Sequence, residues 1–175
     1  MLIIMSGLPG TGKSTLSRLL ARELGAVYLR IDTIESSLIN LDMDVGHAGY
    51  GIAFNLAKDN LSLGLPVVAD SVNPISETRA LWRRVATDVS KPFYEVEVVC
   101  SNKIEHRERV ERRRADYLET LKGEQRKWQP PAWQNVVDRD TEPWNTQPLI
   151  IDTAGQVVEE SFQTLCALLN VTQHN

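Results

Sequence analysis

Gly7-Leu8-Pro9-Gly10-Thr11-Gly12-Lys13-Ser14 decides how this chain is read. The octapeptide satisfies the pattern G-x-x-x-x-G-K-[ST], in which a glycine-rich turn joins a strand to a helix and wraps a phosphate group. The spacing has a physical cause. Glycines let successive backbone N–H groups curl inward around an anion, and the helix that follows presents the favourable end of its dipole. On this pattern Gly7, Pro9, Gly10, Thr11 and Gly12 shape the cradle and Lys13 reaches the β- and γ-phosphates of a nucleotide. The Ser14 hydroxyl is placed to ligate Mg2+, and Thr15 lies next to the α-phosphate.

Both flanks agree with that reading. Leu2-Ile3-Ile4-Met5 is a short apolar run that suits a buried central strand. After Ser14, the residues Leu16, Leu19, Leu20 and Leu24 recur at helical spacing and Gly25 ends the segment. Further out, strands are predicted over 26–31, 66–69, 93–100 and 149–151, and helices over 52–63, 76–89, 102–116 and 157–169. Strand and helix alternate, which predicts an α/β fold with a mostly parallel sheet in one domain spanning 1–175. Gly46, Gly49 and Gly51 predict an irregular, mobile segment before the third helix. Residues 117–144, broken by Pro130, Pro131 and Pro143, read as an insertion, so a lid and flap region is placed at about 102–146.

Composition narrows the function. At 175 residues, 42% hydrophobic and 24% charged, the chain can bury a full core without disulfide or metal staples. A net charge of −4 argues against sequence-independent nucleic-acid binding, which needs clustered cations to displace counterions. Cys100 and Cys166 lie far apart inside apolar runs and read as buried thiols rather than a disulfide. The first residues carry no basic leader, and no stretch reaches the roughly 20 apolar residues of a membrane span. The expectation is a cytoplasmic protein with no membrane partner.

A phosphate cradle does not say what is done to the phosphate. A GTPase switch would need its D-x-x-G element between the cradle and a guanine-reading N-K-x-D; here Asp152-Thr153-Ala154-Gly155 follows Asn102-Lys103, and position 105 is Glu105. The order argues against that switch. A kinase needs a carboxylate for the acceptor hydroxyl and cations for the transferring group. Asp32 follows the second strand and would emerge at the carboxyl edge of a parallel sheet beside the turn, either as the catalytic carboxylate or as a plain helix cap. Asp70 ends the third strand at the same edge, with Ser71 and Asn73 following. It could hold a magnesium-bound water, hydrogen-bond the acceptor, or close a turn before Pro74. Arg109 and Arg113 share one face of a charged helix at i and i+4, which reads either as a solvated face or as a lid whose guanidinium forks meet the phosphoryl group. His47 and His106 read as surface residues, and Trp128, Trp133 and Trp144 as core and flap packing rather than as platforms over a base or substrate.

Together the turn with Thr15, Arg30-Ile31-Asp32, Ala69-Asp70-Ser71-Val72-Asn73-Pro74 and the arginine helix resemble the ATP-dependent P-loop kinases. The similar group holds polynucleotide 5′-hydroxyl kinases, chloramphenicol phosphotransferase-like enzymes, zeta-toxin-like kinases and gluconate kinases. Trp133 to Arg139, Pro143-Trp144 and Ile151-Asp152-Thr153-Ala154 resemble a bacterial branch described as AAA-family ATPases. The resemblance implies a three-layer sandwich whose five parallel strands run in the order 2-3-1-4-5, helices on both faces and an arginine-bearing lid. It also implies ATP with Mg2+ as cofactors, Asp32 as general base, Arg113 as lid arginine, and adenine near the Asp152–Gly155 loop. One departure bears on the substrate. Polynucleotide-end kinases often carry an arginine three positions after the catalytic aspartate, and this chain has Glu35 there. A carboxylate repels an anionic acceptor and attracts a cationic or hydroxyl-rich one. The expected activity is phosphoryl transfer to a small alcohol such as an antibiotic, nucleoside or sugar-like metabolite, with Asp32, Glu35, Asp70 and Asn73 on the acceptor side. The alternatives are a regulatory ATPase without an acceptor, and a polynucleotide or sugar-nucleotide kinase.

Overall fold

In the computed structural model, which describes residues 1–122, 124 and 126–171, the strand β1 (Leu2–Ser6) is buried along its whole length. It can be, because β3 (Val67–Asp70) pairs with it on one side and β4 (Phe93–Val99) on the other. Outside these lie β2 (Val27–Arg30) against β3 and β5 (Leu149–Asp152) against β4. All four pairings are parallel, and the order is β2-β3-β1-β4-β5, as the family resemblance implied. The register sets Met5 and Arg30 level with Asp70. The groups that end these strands therefore meet at one carboxyl edge, where open parallel sheets bind ligands.

Period-two alternation sends successive β1 side chains to opposite layers. Leu2 and Ile4 pack with Ala53, Ala57 and Leu61 of α3 (Ala48–Ser62) and Trp82 of α4 (Ser76–Asp88). Ile3 and Met5 pack with Leu16 and Leu20 of α1 (Lys13–Glu23) and Leu165 and Leu169 of α7 (Val158–Leu169). Full burial of each such aliphatic side chain stabilises the fold by about 1.5–3 kcal/mol. The remaining helices are α2 (Ile31–Asn40), α5 (Lys103–Thr120) and α6 (Trp133–Val137). Asn102 caps α5, its Oδ1 accepting from the N–H groups of Ile104 and Glu105 at 3.1 and 3.2 Å.

Four sequence expectations give way here. Gly49 and Gly51 lie inside α3 rather than in an irregular segment. A Cβ on Gly49 would stand 2.5 Å from Cγ of Glu35 on α2, so the glycine is an approach point between two helices rather than a breaker. Asp32 does not cap α2: it sits in the first turn, and Arg30 occupies the N-cap position. The arginine helix α5 continues to Thr120, past the expected end at 116. His106 is buried rather than on the surface.

The end of the segment expected as an insertion or flap is strapped down. Arg79 of α4, only 2% exposed, donates to the carbonyl of Glu142 from Nη1 and Nη2 at 3.1 and 3.2 Å, and from Nη2 to that of Pro143 at 2.9 Å. Its guanidinium lies 4.5 Å from the ring centroid of Trp144. Glu142 answers twice, its N–H donating to the Pro74 carbonyl at 2.8 Å and its Oε2 accepting from the Ser76 N–H at 2.7 Å. Arg79→Ala is expected to lower unfolding stability by about 2–3 kcal/mol in urea titrations, the value of charged hydrogen bonds lost from a buried site. Arg79→Lys should recover less than half of that, because a point ammonium cannot hold two carbonyls and stack. A loss under about 0.5 kcal/mol would show the strap to be incidental.

Candidate active site

The turn between β1 and α1 takes backbone conformations that side chains resist. Gly10 and Gly12 have φ of 89° and 91°. A Cβ on Gly10 would meet Cγ2 of Val110 at 2.4 Å, and one on Gly7 would meet the Val98 carbonyl oxygen at 2.2 Å. The turn is thus pressed between β4 and α5. His106 of α5 fixes it from the side, its Nε2–H donating to the Pro9 carbonyl at 2.8 Å; a carbonyl cannot donate, so the proton must be on Nε2. Among the described residues, the N–H groups of Gly10, Gly12, Lys13 and Ser14 form no hydrogen bond with another backbone group. Orphan donors at a helix start are what an anion completes, so the turn fits a phosphate group.

Lys13, 8% exposed, pairs with Oδ1 of Asp70, which is 1% exposed. The other carboxylate oxygen accepts from the Tyr28 hydroxyl at 2.6 Å, and Arg30 Nε stands 3.8 Å from it. Burial alone would raise the Asp70 pKa. The Lys13 ammonium, with the hydroxyls of Ser14 and Tyr28, outweighs it and holds the carboxyl below its ordinary range. Burial together with the Asp70 charge pushes the Tyr28 phenol up, so it remains a donor. Ser14 and Asp70 are therefore neighbours, a pair of hard oxygen groups that suits Mg2+.

Over the turn opens a cavity of about 660 Å³. Pro9, Gly10, Gly12, Lys13, Ser14 and Thr15 line it from below, and Asp32, Arg109 and Arg113 from the facing side. Asp32 Oδ2 accepts from Arg30 Nη2 at 2.8 Å and from Arg113 Nη2 at 3.3 Å, so one carboxylate oxygen joins α2, β2 and α5. Arg109 is held differently. It donates to the hydroxyl and the carbonyl of Thr153 at 2.8 and 3.0 Å and to Glu105 Oε1 at 2.5 Å. The Thr153 hydroxyl in turn donates to the Thr11 carbonyl at 2.8 Å, tying the end of β5 to the turn.

Five of the sequence candidates, Gly7, Thr11, Glu35, Asp70 and Asn73, do not line this cavity, Asp70 because it is buried beneath it. Glu35 rests against Gly49, and burial followed by the Asp32 charge raises its pKa. Asn73 lies on the far side of the turn, where its Nδ2–H donates to Ser6 Oγ at 2.9 Å, and Gly7 and Thr11 face the same side. Conversely, Arg30, Thr153, Tyr117 and Trp128 line the cavity without having been read as site residues. Thr153 carried a signal, since it sits in the loop that the resemblance set near adenine. Tyr117 and Trp128 meet edge to face at 5.6 Å across an irregular stretch, a contact no spacing rule foretells.

The buried pair makes stability depend on acid. The folded pKa of Asp70 lies below its unfolded value of about 3.9, so its contribution is complete above that value and is lost as pH falls through the folded pKa. Asp70→Asn should destabilise the protein by about 3 kcal/mol at pH 7 and flatten the acid limb of its stability curve below pH ~4. Parallel acid limbs in urea titrations of the two proteins would show that Asp70 is not the group responsible.

Comparison with known proteins agrees with this geometry. The sequence pattern of the AAA domain family matches residues 2–131, well over half of the chain. No curated protein sequence matches it. Among solved structures, a provisionally named kinase from Chloroflexus aurantiacus is similar with a TM-score of 0.74 at 22% identity, covering 98% of each chain. The APS kinase CysC of Mycobacterium tuberculosis, in complex with AMPPNP and APS, superposes with a TM-score of 0.64 at 22% identity over 97% of this chain and 96% of its own. Kti12 of Chaetomium thermophilum, in complex with ADP-AlF3, gives 0.64 at 21% identity over 99% of this chain and 100% of its own. At such identities these likenesses speak for the fold, a three-layer α/β sandwich of the P-loop kinase kind. With the glycine cradle on the first strand-to-helix turn and the matching pattern running from Leu2 to Pro131, the chain belongs to the AAA domain family and is built as a P-loop kinase.

Proposed function

We propose that the chain is an ATP-dependent phosphotransferase that moves the γ-phosphate onto a hydroxyl of a small neutral or amine-bearing molecule. One observation carries the reading: Asp32 opens into the same cavity as Lys13 and the glycine turn, between two arginines. The turn amides and Lys13 bind the phosphate tail, and the Thr153 loop borders the other end of the cavity, where the base would lie. Asp32 orients the acceptor hydroxyl and takes its proton as the oxygen meets phosphorus. Arg113, now on Asp32, exchanges onto the transferring group, whose charge its planar fork matches. Ser14 and Asp70 would hold Mg2+, which when bound neutralises charge on the β- and γ-phosphates. Glu35, half-buried beside Asp32, disfavours an anionic acceptor and moves polynucleotides down the order.

Both cysteines are buried, and no helix among the described residues is long and apolar enough to cross a membrane. We accordingly place the reaction in the cytoplasm. A second reading, a regulatory ATPase with no acceptor, draws support from the likeness to Kti12. The two separate in one experiment. Asp32→Asn should lower acceptor-stimulated ATP consumption, measured across a panel of alcohols, amino alcohols and nucleosides, by about 10²–10⁴-fold while ATP affinity changes little. Turnover equal to wild type would remove Asp32 from the chemistry and favour the regulatory reading. Arg113→Ala should lower kcat more than it raises KM for ATP, because the guanidinium acts chiefly on the developing charge.

A further inference from the structure

The cavity over the glycine turn has two ends, and α5 runs from one to the other. Arg109 is bound to Thr153, which follows β5, and Arg113 reaches Asp32, which follows β2 at the opposite side of the sheet. Tyr117 comes next on the same helical face, about 6 Å beyond Arg113 at 1.5 Å per residue. It lines the cavity together with Trp128 and Pro130. Leu8 and Val72, which also line it, follow β1 and β3 and so lie on the Asp32 side of the strand order. We infer that this end holds an aromatic ring: the phosphoryl acceptor carries its hydroxyl on a planar ring system rather than being a sugar or an open polyol. The inference rests on the phosphotransferase reading above and names the class of alcohol that reading leaves open.

Geometry is the first reason. The rings of Tyr117 and Trp128 meet with centroids 5.6 Å apart and planes at 86°, which makes a corner. A third ring laid flat on one of these walls meets the other edge-on, so both contacts take arrangements that aromatic quadrupoles favour. The corner is held by its own bonds. The Tyr117 hydroxyl donates to the Trp128 carbonyl at 3.2 Å, and Arg114 donates to Gln129 Oε1 at 3.1 Å and to the Pro130 carbonyl. Lys127 pairs with Asp42, just past the end of α2. The chain that carries Trp128 is thereby set across from the helix that begins at Asp32.

Hydrogen-bonding capacity is the second reason. Leu8, Val72 and Pro130 have no polar side-chain atom, and the Tyr117 hydroxyl is already donating. Hydroxyls of a sugar placed against them would lose water without gaining partners, whereas a ring gains from the apolar area it buries. The polar groups of this end, Arg30 and Arg113, converge on Asp32, as suits a single reacting hydroxyl. Leu8 and Val72 also border a second cavity, of about 430 Å³, between the end of β4 and the strap around Glu142. Neither Asp32 nor Arg113 lines that cavity, so an acceptor seated there would not present its hydroxyl to Asp32.

The test uses the full chain with Mg2+ and AMPPNP, so that the nucleotide position is filled, and follows indole N–H resonances by NMR. The ring-bearing probes are 2-phenylethanol, 1-phenyl-1,3-propanediol and cytidine, and the comparison alcohols are glucose and glycerol. At least one ring-bearing alcohol should shift the Trp128 indole saturably and bind more tightly than either comparison. Trp128→Leu, apolar but without a ring, should weaken that alcohol at least tenfold, and Trp128→Phe should recover it to within about threefold. AMPPNP affinity should stay within about twofold in both variants. The inference fails if no ring-bearing alcohol gives a saturable shift by about 20 mM, or if glucose or glycerol binds best. It fails equally if Trp128→Leu weakens AMPPNP tenfold, which would give the corner to the nucleotide base. The phosphotransferase reading is judged apart, by ATP consumption with the same alcohols. Ring binding without Asp32-dependent consumption overturns that reading and leaves the ring site standing; Asp32-dependent consumption with glucose or glycerol alone does the reverse.

Discussion

A carboxylate almost shut off from water organises this molecule. Asp70 could not stay ionised at 1% exposure without Lys13, and Lys13 would not lie inside the turn without Asp70. The parallel register makes the pair possible, because it brings the end of β3 level with Met5 of β1 and Arg30 of β2. Tyr28 completes the carboxylate from the outer strand. The phosphate turn is therefore held in shape from beneath by the sheet, and the helix α1 begins where that hold ends. Preorganised donors of this kind cost nothing to rearrange when an anion arrives.

The opposite wall is built to a different standard. Arg109 is fastened by three hydrogen bonds to Thr153 and Glu105, and Thr153 is fastened to the turn. Among the described residues Arg113 pairs only with Asp32, at 3.3 Å, with both side chains about one-third exposed. Exposed pairs of this kind are worth roughly 0–1 kcal/mol, so Arg113 can leave Asp32 for a phosphate at little cost. The same helix thus carries one arginine that positions it and one that is free to act. Tyr117 and Trp128 extend this wall beyond the arginines, with Arg114 anchoring the irregular chain through Gln129 Oε1 at 3.1 Å and the Pro130 carbonyl.

The two cavities differ in lining as well as place. The larger gathers Lys13, Arg30, Arg109 and Arg113 around the turn, as a polyphosphate requires. The smaller is of mixed character, with Arg79, Glu97 and Glu142 in its lining. The wall common to both includes Leu8 and Val72. Because Gly7 N–H donates to the Val72 carbonyl at 3.3 Å, that wall is part of the hydrogen-bonded frame of the turn.

What the amino-acid sequence determined alone was whatever depends on near neighbours along the chain. The glycines and Lys13-Ser14 stand at fixed offsets, the apolar runs keep their periods of 2 and 3.6, and these suffice for the turn, the alternation of strand and helix, and Asp32 at the sheet edge. Strand order came through likeness to a family, not through spacing. Tertiary structure decided the rest, for a reason visible in each case. Gly49 serves as a close approach inside a helix because Glu35 of another helix fills the space a Cβ would need, and His106 is buried because the turn lies against it. Arg79 became a strap because carbonyls 63 and 64 positions away fold back over it. Asn73 moved to a second cavity, and Thr153 became a joint, through partners 67 and 142 residues distant in sequence. Local pattern sets which element a residue joins; only the packing of distant segments sets what its side chain meets, because those contacts form across chain separations that no periodicity encodes.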